Sequence, residues 1–235
     1  MNYIFFFSSS FLLFLVNTSV YSQCNGSTDN CGKQYNEVSY LTTHNAYNTD
    51  SEGFSLPNQH LGIADQLTQG VRAFMLDVYD FWGTPTQYHG NFALGTQALS
   101  SDLDEIKNFL DVNSNEVVTL ILECNVSANE IETELINTGL MPYVYTHANG
   151  AVWPTLQEMI NLNKRLVLFS DVDDASPTQG WYHYVWDFAV ETHYSVNNVN
   201  DFTDAYNRGD SLNDLYIFNH FVTNGISGTG MEHES

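Results

Sequence analysis

The chain has 235 residues, is 43% hydrophobic, and sets 28 acidic side chains against 6 basic ones for a formal charge of −22. That is enough chain for one sizeable core, and no linker divides it, so a single monomeric domain is expected. The charge excludes nucleic acid as a partner, because phosphate contacts need clustered Lys and Arg. It also disfavours lasting adhesion to an anionic bilayer; its plain consequence is solubility.

Met1 to Ser22 reads as a secretory signal: Ile4 to Val16 is an apolar run broken only by Ser8 to Ser10, and Val20 and Ser22 offer small residues for cleavage. No Lys or Arg precedes the run, and the uninterrupted stretch is too short to span a bilayer. The mature chain is therefore expected to start near Gln23 and to be exported. Export permits disulfides, and Cys24 with Cys31 would close a small loop; a metal pair is the alternative, with no second Cys or His pair at finger-like spacing to support it. Cys124 is left over and is expected to be buried and inert.

Apolar runs suited to buried parallel strands follow at Val38 to Thr42, Ala73 to Val78, Val117 to Leu122, Leu166 to Phe169 and Leu215 to Phe218. Weaker strand signals lie at Thr86 to His89 and Trp186 to Val190. Between them, Leu99, Leu103, Ile106 and Leu110 share a helical face, with Ser101 and Asp104 as its start signal. Ser127 with Glu130, and Thr155 with Glu158, are capping boxes ahead of two further helices. Trp181, Tyr182, Tyr184 and Trp186 interleave with His183; exposed, they would meet a lipid interface or a sugar, and buried they are core. Asn25-Gly-Ser27 and Asn125-Val-Ser127 are glycosylation sequons.

Alternating strand and helix predicts an α/β fold with a parallel sheet. The phosphate-binding glycine fingerprint of an open doubly wound sheet is absent after the first strand, while strand ends carry His, Asp and Glu. That pattern favours a TIM-type (β/α)8 barrel, whose site gathers at the C-terminal strand ends. About seven strands are counted against the eight that closure requires. The last is followed by a polar tail, Gly225 to Ser235, so a barrel lacking its final strand and helix is expected over 23–235.

Four polar positions stand at or beside strand ends: His44 with Asn45, Asp77, His89 and Glu123. On one rim, two histidines would act as acid and base, and Asn45, Asp77 and Glu123 would offer hard oxygen ligands to Ca²⁺ or Mg²⁺. Spacing alone leaves structural roles equally open for each.

Tyr40-Leu-Thr-Thr-His44-Asn45-Ala-Tyr47 resembles the first catalytic block of the phospholipase C X domain. Gln66-Leu-Thr-Gln-Gly70-Val-Arg72-Ala-Phe-Met-Leu-Asp77-Val-Tyr-Asp80 resembles the second, Tyr88-His89-Gly90 the third, and Glu116-Val-Val-Thr-Leu-Ile-Leu-Glu123 the fourth. Asn219-His220-Phe221, and the Cys24 to Cys31 opening before Tyr35-Asn-Glu-Val38, are similar to the secreted single-domain branch. The resemblance implies a phosphoric diester hydrolase acting on a phosphoinositide or related diester, with transient membrane contact. His44 would be the general base, His89 the general acid, and Asn45, Asp77 and Glu123 the metal ligands. Tyr79 stands where the metal-independent branch has an arginine, which favours a metal; Met75 stands where the calcium-dependent branch has a further carboxylate, which thins the site.

Asp171 follows the Leu166 to Phe169 run as a candidate substrate or cation contact, ahead of Asp173 and Asp174. Arg72 precedes its strand, so a structural pairing competes with a substrate contact, and His220 divides likewise between site and packing. Two alternatives stand beside the leading one. Glycerophosphodiester hydrolysis wants Glu-x-Asp where this chain has Met75-Leu-Asp77, and a catalytically silent binding protein would not need the pair His44 and His89.

Overall fold

The computed structural model describes residues 23–226 and 229–232; the expected signal over 1–22 lies outside the described residues. The main sheet is built from β1 (Thr42–Thr43), β2 (Ala73–Phe81), β3 (Thr84–Gln87), β4 (Gln97–Ala98), β5 (Val118–Asn125), β6 (Leu166–Ser170) and β7 (Tyr182–Tyr184). Its parallel path runs β1-β2-β5-β6-β7, and β3 and β4 add an antiparallel flap on the β2 edge. A separate parallel pair joins β8 (Ala189–Glu191) to β9 (Leu215–Ile217). An antiparallel hairpin, β10 (Thr223–Ile226) with β11 (Thr229–Glu232), occupies part of the segment read from sequence as a polar tail. The architecture is α/β with a parallel sheet, as expected; among the described residues the strands do not close into a barrel.

Side-chain alternation along the strands divides two cores. Phe74, Leu76 and Val78, Leu120 and Leu122, and Leu166 and Leu168 face outward onto α1 (Ile63–Thr68), α2 (Leu99–Val112) and α3 (Ala128–Asn137). Val117, Ile121, Val167 and Phe169 face inward onto Tyr35, Trp153, Val185 and Phe188, with Leu156 and Met159 of α4 (Leu156–Asn161). Odd-numbered residues of β2, β5 and β6 thus share the inner face.

Both capping boxes form as read, at Ser127 with Glu130 and at Thr155 with Glu158. The start of α2 does not: it begins at Leu99, and its N-cap Ala98 makes no side-chain bond, so Ser101 lies inside the helix. Here tertiary contacts set the start, because buried Asp102 accepts from Gln87 Nε2 at 2.8 Å and from Gln97 Nε2, tying the helix to β3 and β4. The strand expected over 38–42 shortens to Thr42–Thr43: Val38 and Tyr40 turn in to pack against the inner core, and Tyr40 Oη donates to Tyr35 O at 2.9 Å. The strand expected over 186–190 begins only at Ala189, because Val185–Asp187 forms a 3-10 turn between β7 and β8. Thr86 to His89 corresponds to β3, which runs antiparallel to β2 and is no barrel strand.

Asp102 carries a pH dependence. Burial pushes its carboxyl up to about 7, against the lowering by Gln87. A folded pKa above the unfolded one favours the protonated form, so this stability is present below about pH 4 and lost as pH rises to about 7. Asp102→Asn should be near neutral in effect at pH 4 and stabilising by up to about 4 kcal/mol above pH 7, read by urea unfolding at both values. Gln87 Oε1 and Gln97 Oε1 lack partners among the described residues, so one glutamine amide can turn over to accept from the asparagine. Buried His183, held down to about 4 by desolvation, acts with the opposite sign between pH 4 and 6.5. Only the difference between wild type and variant isolates Asp102.

Candidate active site

Asp77 on β2 pairs in register with Glu123 on β5, and Leu122 with Ser170 on β6, which brings Asp171 to the same level. Alternation puts all three carboxylates on the inner face at the C-terminal end of adjacent parallel strands. Asp171 Oδ1 accepts from Cys124 N at 2.8 Å, which holds it there. Loss of solvation raises the Glu123 pKa first, and repulsion from Asp77 and Asp171 adds to it; His44 and His89 oppose the rise. Asp171 is also raised, chiefly by desolvation. Both sequence-predicted histidines therefore stand within electrostatic reach of Glu123.

His89 follows β3 as the flap descends beside β2. Its Nδ1 lies 3.1 Å from Asp77 Oδ2, an oxygen that also accepts from Tyr47 Oη at 3.1 Å. Asp77 is buried and His89 is 28% exposed, so the carboxylate orients a ring that keeps an open edge. With Nδ1–H donated to Asp77, a proton exchanged with a substrate would pass through Nε2.

His44 ends β1, where its carbonyl accepts from Gln59 Nε2 at 2.9 Å and its ring stacks on Phe221 at 4.8 Å. Asn45 then takes a left-handed backbone, φ 47°, which Asn tolerates better than most residues and which turns its buried amide onto the same cluster. With its nitrogen toward Asp77, the orientation its neighbours favour, that amide reaches both carboxylate oxygens at 3.3 Å; its other end lies 3.3 Å from His89 Nδ1. Asn45 and Asp77 are thus engaged with His89.

Among the described residues no three His, Cys, Asp or Glu side chains converge as a ready-made cation site. The donors are hard oxygens and repulsion from Asp77 and Asp171 adds to the raised Glu123 pKa, so a divalent ion would relieve it, but the three carboxylates would have to draw together to share one.

Two sequence candidates do not belong here. Arg72 sits at the opposite, N-terminal end of β2, where Nε donates to Glu116 Oε2 at 2.6 Å and Nη1 to two backbone carbonyls; it is structural. His220 is exposed and stacks between Phe202 and Phe218, while its neighbour Phe221 is the residue that meets His44. Trp181, Tyr182 and His183 are core, as their alternative reading had it. Cys24 and Cys31 form a disulfide, and Cys124 is buried and free.

Arg208 escaped the sequence reading. Its guanidinium stacks on Trp186 at 4.4 Å and Tyr194 at 4.5 Å, bonds to buried Glu191 at the end of β8, and lowers the Asp171 pKa. Gly209 makes the turn possible: its φ is +83°, and a Cβ there would sit 2.0 Å from Ala189 O. The signal available in sequence was scarcity, since a chain with 6 basic residues has few cations to offer an anion.

The PI-PLC X family model matches residues 30–234. The chain belongs to the PI-PLC X domain family. A PI-PLC X domain-containing protein of Arabidopsis thaliana is 31% identical over 216 residues, covering 82% of this chain and 50% of that protein. PI-PLC X domain-containing protein 1 of Arthroderma benhamiae is 26% identical, covering 87% of this chain and 70% of the relative. An uncharacterized secreted protein of the same fungus is 27% identical, covering 88% and 49%. The chain spans about half the length of the first and third of these. Among solved structures, Staphylococcus aureus phosphatidylinositol-specific phospholipase C superposes with a TM-score of 0.47 at 18% identity, over 60% of this chain and 50% of that one. PLC21 of L. pealei superposes with a TM-score of 0.48 at 16% identity, over 66% and 21%. The blocks around His44, Asp77, His89 and Glu123 all lie inside the PI-PLC X match.

Proposed function

We propose that this PI-PLC X domain is an exported phosphoric diester hydrolase that cleaves a phosphoinositide or a closely related diester. The observation that carries the reading is the buried carboxylate of Asp77 on His89 Nδ1, with His44, Glu123 and Asp171 on the same rim. A binding protein has no need of a histidine held in one tautomer by a buried carboxylate.

In the reaction, His44 takes the proton of the attacking inositol 2-hydroxyl as its oxygen forms a bond to phosphorus. The bond from phosphorus to the glycerol oxygen breaks, and His89 Nε2 gives that oxygen its proton. The products are diacylglycerol and a cyclic inositol phosphodiester, which water then opens with the two histidines in reversed roles. Asp77 fixes the His89 tautomer and stabilises the ring when it is charged. Glu123, Asp77 and Asp171 would hold a divalent cation, which supplies positive charge to the phosphoryl oxygens as they become more negative. Arg208 offers further positive charge close to Asp171.

Export is supported by the disulfide and by a fungal relative named as secreted. The test is release of water-soluble phosphoinositol from phosphatidylinositol in mixed micelles, with Ca²⁺, with Mg²⁺ and with chelator, its products followed by phosphorus NMR. A cyclic diester that forms first, and only with metal, is the expected result. Release undiminished by chelator would remove the cation from the account, and no release by the folded chain would remove the reaction class.

A further inference from the structure

Tyr47 is fully buried, yet its hydroxyl ends on the oxygen that faces His89. The ring sits in the outer core, edge-on to Phe54 at 5.7 Å, and Oη donates to Asp77 Oδ2 at 3.1 Å. Nearly all of a tyrosine side chain is apolar, so packing of the ring decides where its one polar tip lies. That same Oδ2 is 3.1 Å from His89 Nδ1. Asn45, with its nitrogen toward Asp77, meets both carboxylate oxygens alike at 3.3 Å, whereas Tyr47 engages the single oxygen that His89 uses.

The backbone beneath Tyr47 is as firmly held as its ring. Asn45 turns the chain through φ 47°, Ala46 N then donates to Met75 O on β2 at 3.0 Å, and Ala46 O accepts from Gln66 Nε2 of α1 at 2.8 Å. One short turn thus carries His44 and, three residues later, the hydroxyl that reaches the partner of His89. Asp77 itself lies on a strand paired with β5 on one side and β3 on the other. What such a strand leaves free is rotation of the carboxylate about Cβ–Cγ, a broad and soft torsion. A hydroxyl fixed by packing opposes that rotation, and a phenol stays protonated well past neutral pH, so the donor is constant.

We propose that Tyr47 is a positioning residue for the general acid: its hydroxyl locks the Asp77 carboxylate in the plane that holds the His89 ring for proton transfer, and so ties the acid to the turn that carries the base. The inference rests on the reading of His89 as general acid. A buried hydroxyl that merely took the nearest acceptor would make the same bond, and two readouts separate that packing role from positioning.

Tyr47→Phe in the full chain keeps the ring and removes the donor; near-UV circular dichroism checks that the fold is intact. On micellar phosphatidylinositol its kcat should fall about 10- to 100-fold with KM unchanged, the loss typical when the partner that orients a working histidine is removed. On inositol 1-phosphate esterified to p-nitrophenol, whose leaving group needs no proton, the loss should largely disappear. The second readout is nitrogen NMR of ring-labelled histidine, at a pH where the His89 ring is neutral and with no substrate present. Wild type should show His89 as the Nδ1–H tautomer, and Tyr47→Phe a mixture of the two. In an Asp77→Asn background Tyr47→Phe should change that spectrum no further, because the carboxylate through which it acts is gone. Equal slowing on the two esters, a His89 signal unchanged by Tyr47→Phe, or a further change in the Asp77→Asn background would each overturn the proposal. Because the spectrum is read without turnover, failure of the catalytic reading leaves it legible.

Discussion

His44→Ala and His89→Ala are each expected to lower phosphodiester turnover by about 100- to 10,000-fold, the range that a positioned acid or base supplies. The fold should survive both. His44 is held at the end of a two-residue strand and His89 on a flap, and neither belongs to either apolar core. Near-UV circular dichroism and the urea midpoint of each variant check that point, and initial rates on micellar phosphatidylinositol check the first. Retention of more than about a tenth of the rate in either variant would contradict a proton-transfer role.

The largest stability effect is expected at the other end of the same sheet. Arg165 is 3% exposed at the foot of β6, on the face away from the rim. Nη2 donates to Leu110 O at 2.8 Å, Nη1 to Asn113 O at 2.9 Å and to Glu116 O at 3.3 Å, and Nε to Asn163 Oδ1 at 2.9 Å. It thereby satisfies carbonyls at the C-terminal end of α2 and in the loop that leads into β5, and its guanidinium lies 4.9 Å over the Tyr143 ring. Arg165→Ala strands these acceptors away from water and empties the space, at a cost of roughly 3 to 5 kcal/mol. Arg165→Lys should recover only part, because an ammonium cannot match the planar fork. Turnover per folded molecule should not change, since five residues of β6 separate Arg165 from the rim. Urea unfolding reads the first effect, and rates under folding conditions read the second.

What the sequence revealed followed from local rules, and what it hid depended on long-range contacts. Asp77 and Glu123 were legible because each interrupts an apolar run at odd spacing, and the register Asp77 to Glu123 bears out their shared level. Ser127 and Thr155 were legible as caps because a capping box lies within four residues. The start of α2 was not, because Gln87 and Gln97 decide it from β3 and β4. Asp77 was read as a metal ligand alone, yet its Oδ2 faces Tyr47 and His89, a convergence that only the β2–β3 hairpin brings about. His220 and Phe221 differ by one position, and strand-end spacing cannot say which turns inward; Phe221 does, onto His44. Arg208 acts on Asp171 from a loop with no motif of its own, and Gly209, which nothing in the sequence marks, lets its backbone pass Ala189.

The central claim is the division of labour between the two histidines, and a change of leaving group tests it most directly. Inositol 1-phosphate esterified to p-nitrophenol needs no proton on departure, whereas the glycerol oxygen of phosphatidylinositol does. The account predicts that His89→Ala, crippled on phosphatidylinositol, recovers most of the wild-type rate of cyclisation on the nitrophenyl ester. His44→Ala should stay slow on both, because the attacking 2-hydroxyl still has to lose its proton. Equal loss in His89→Ala on the two substrates would contradict its role as general acid, and rescue of His44→Ala instead would exchange the two assignments.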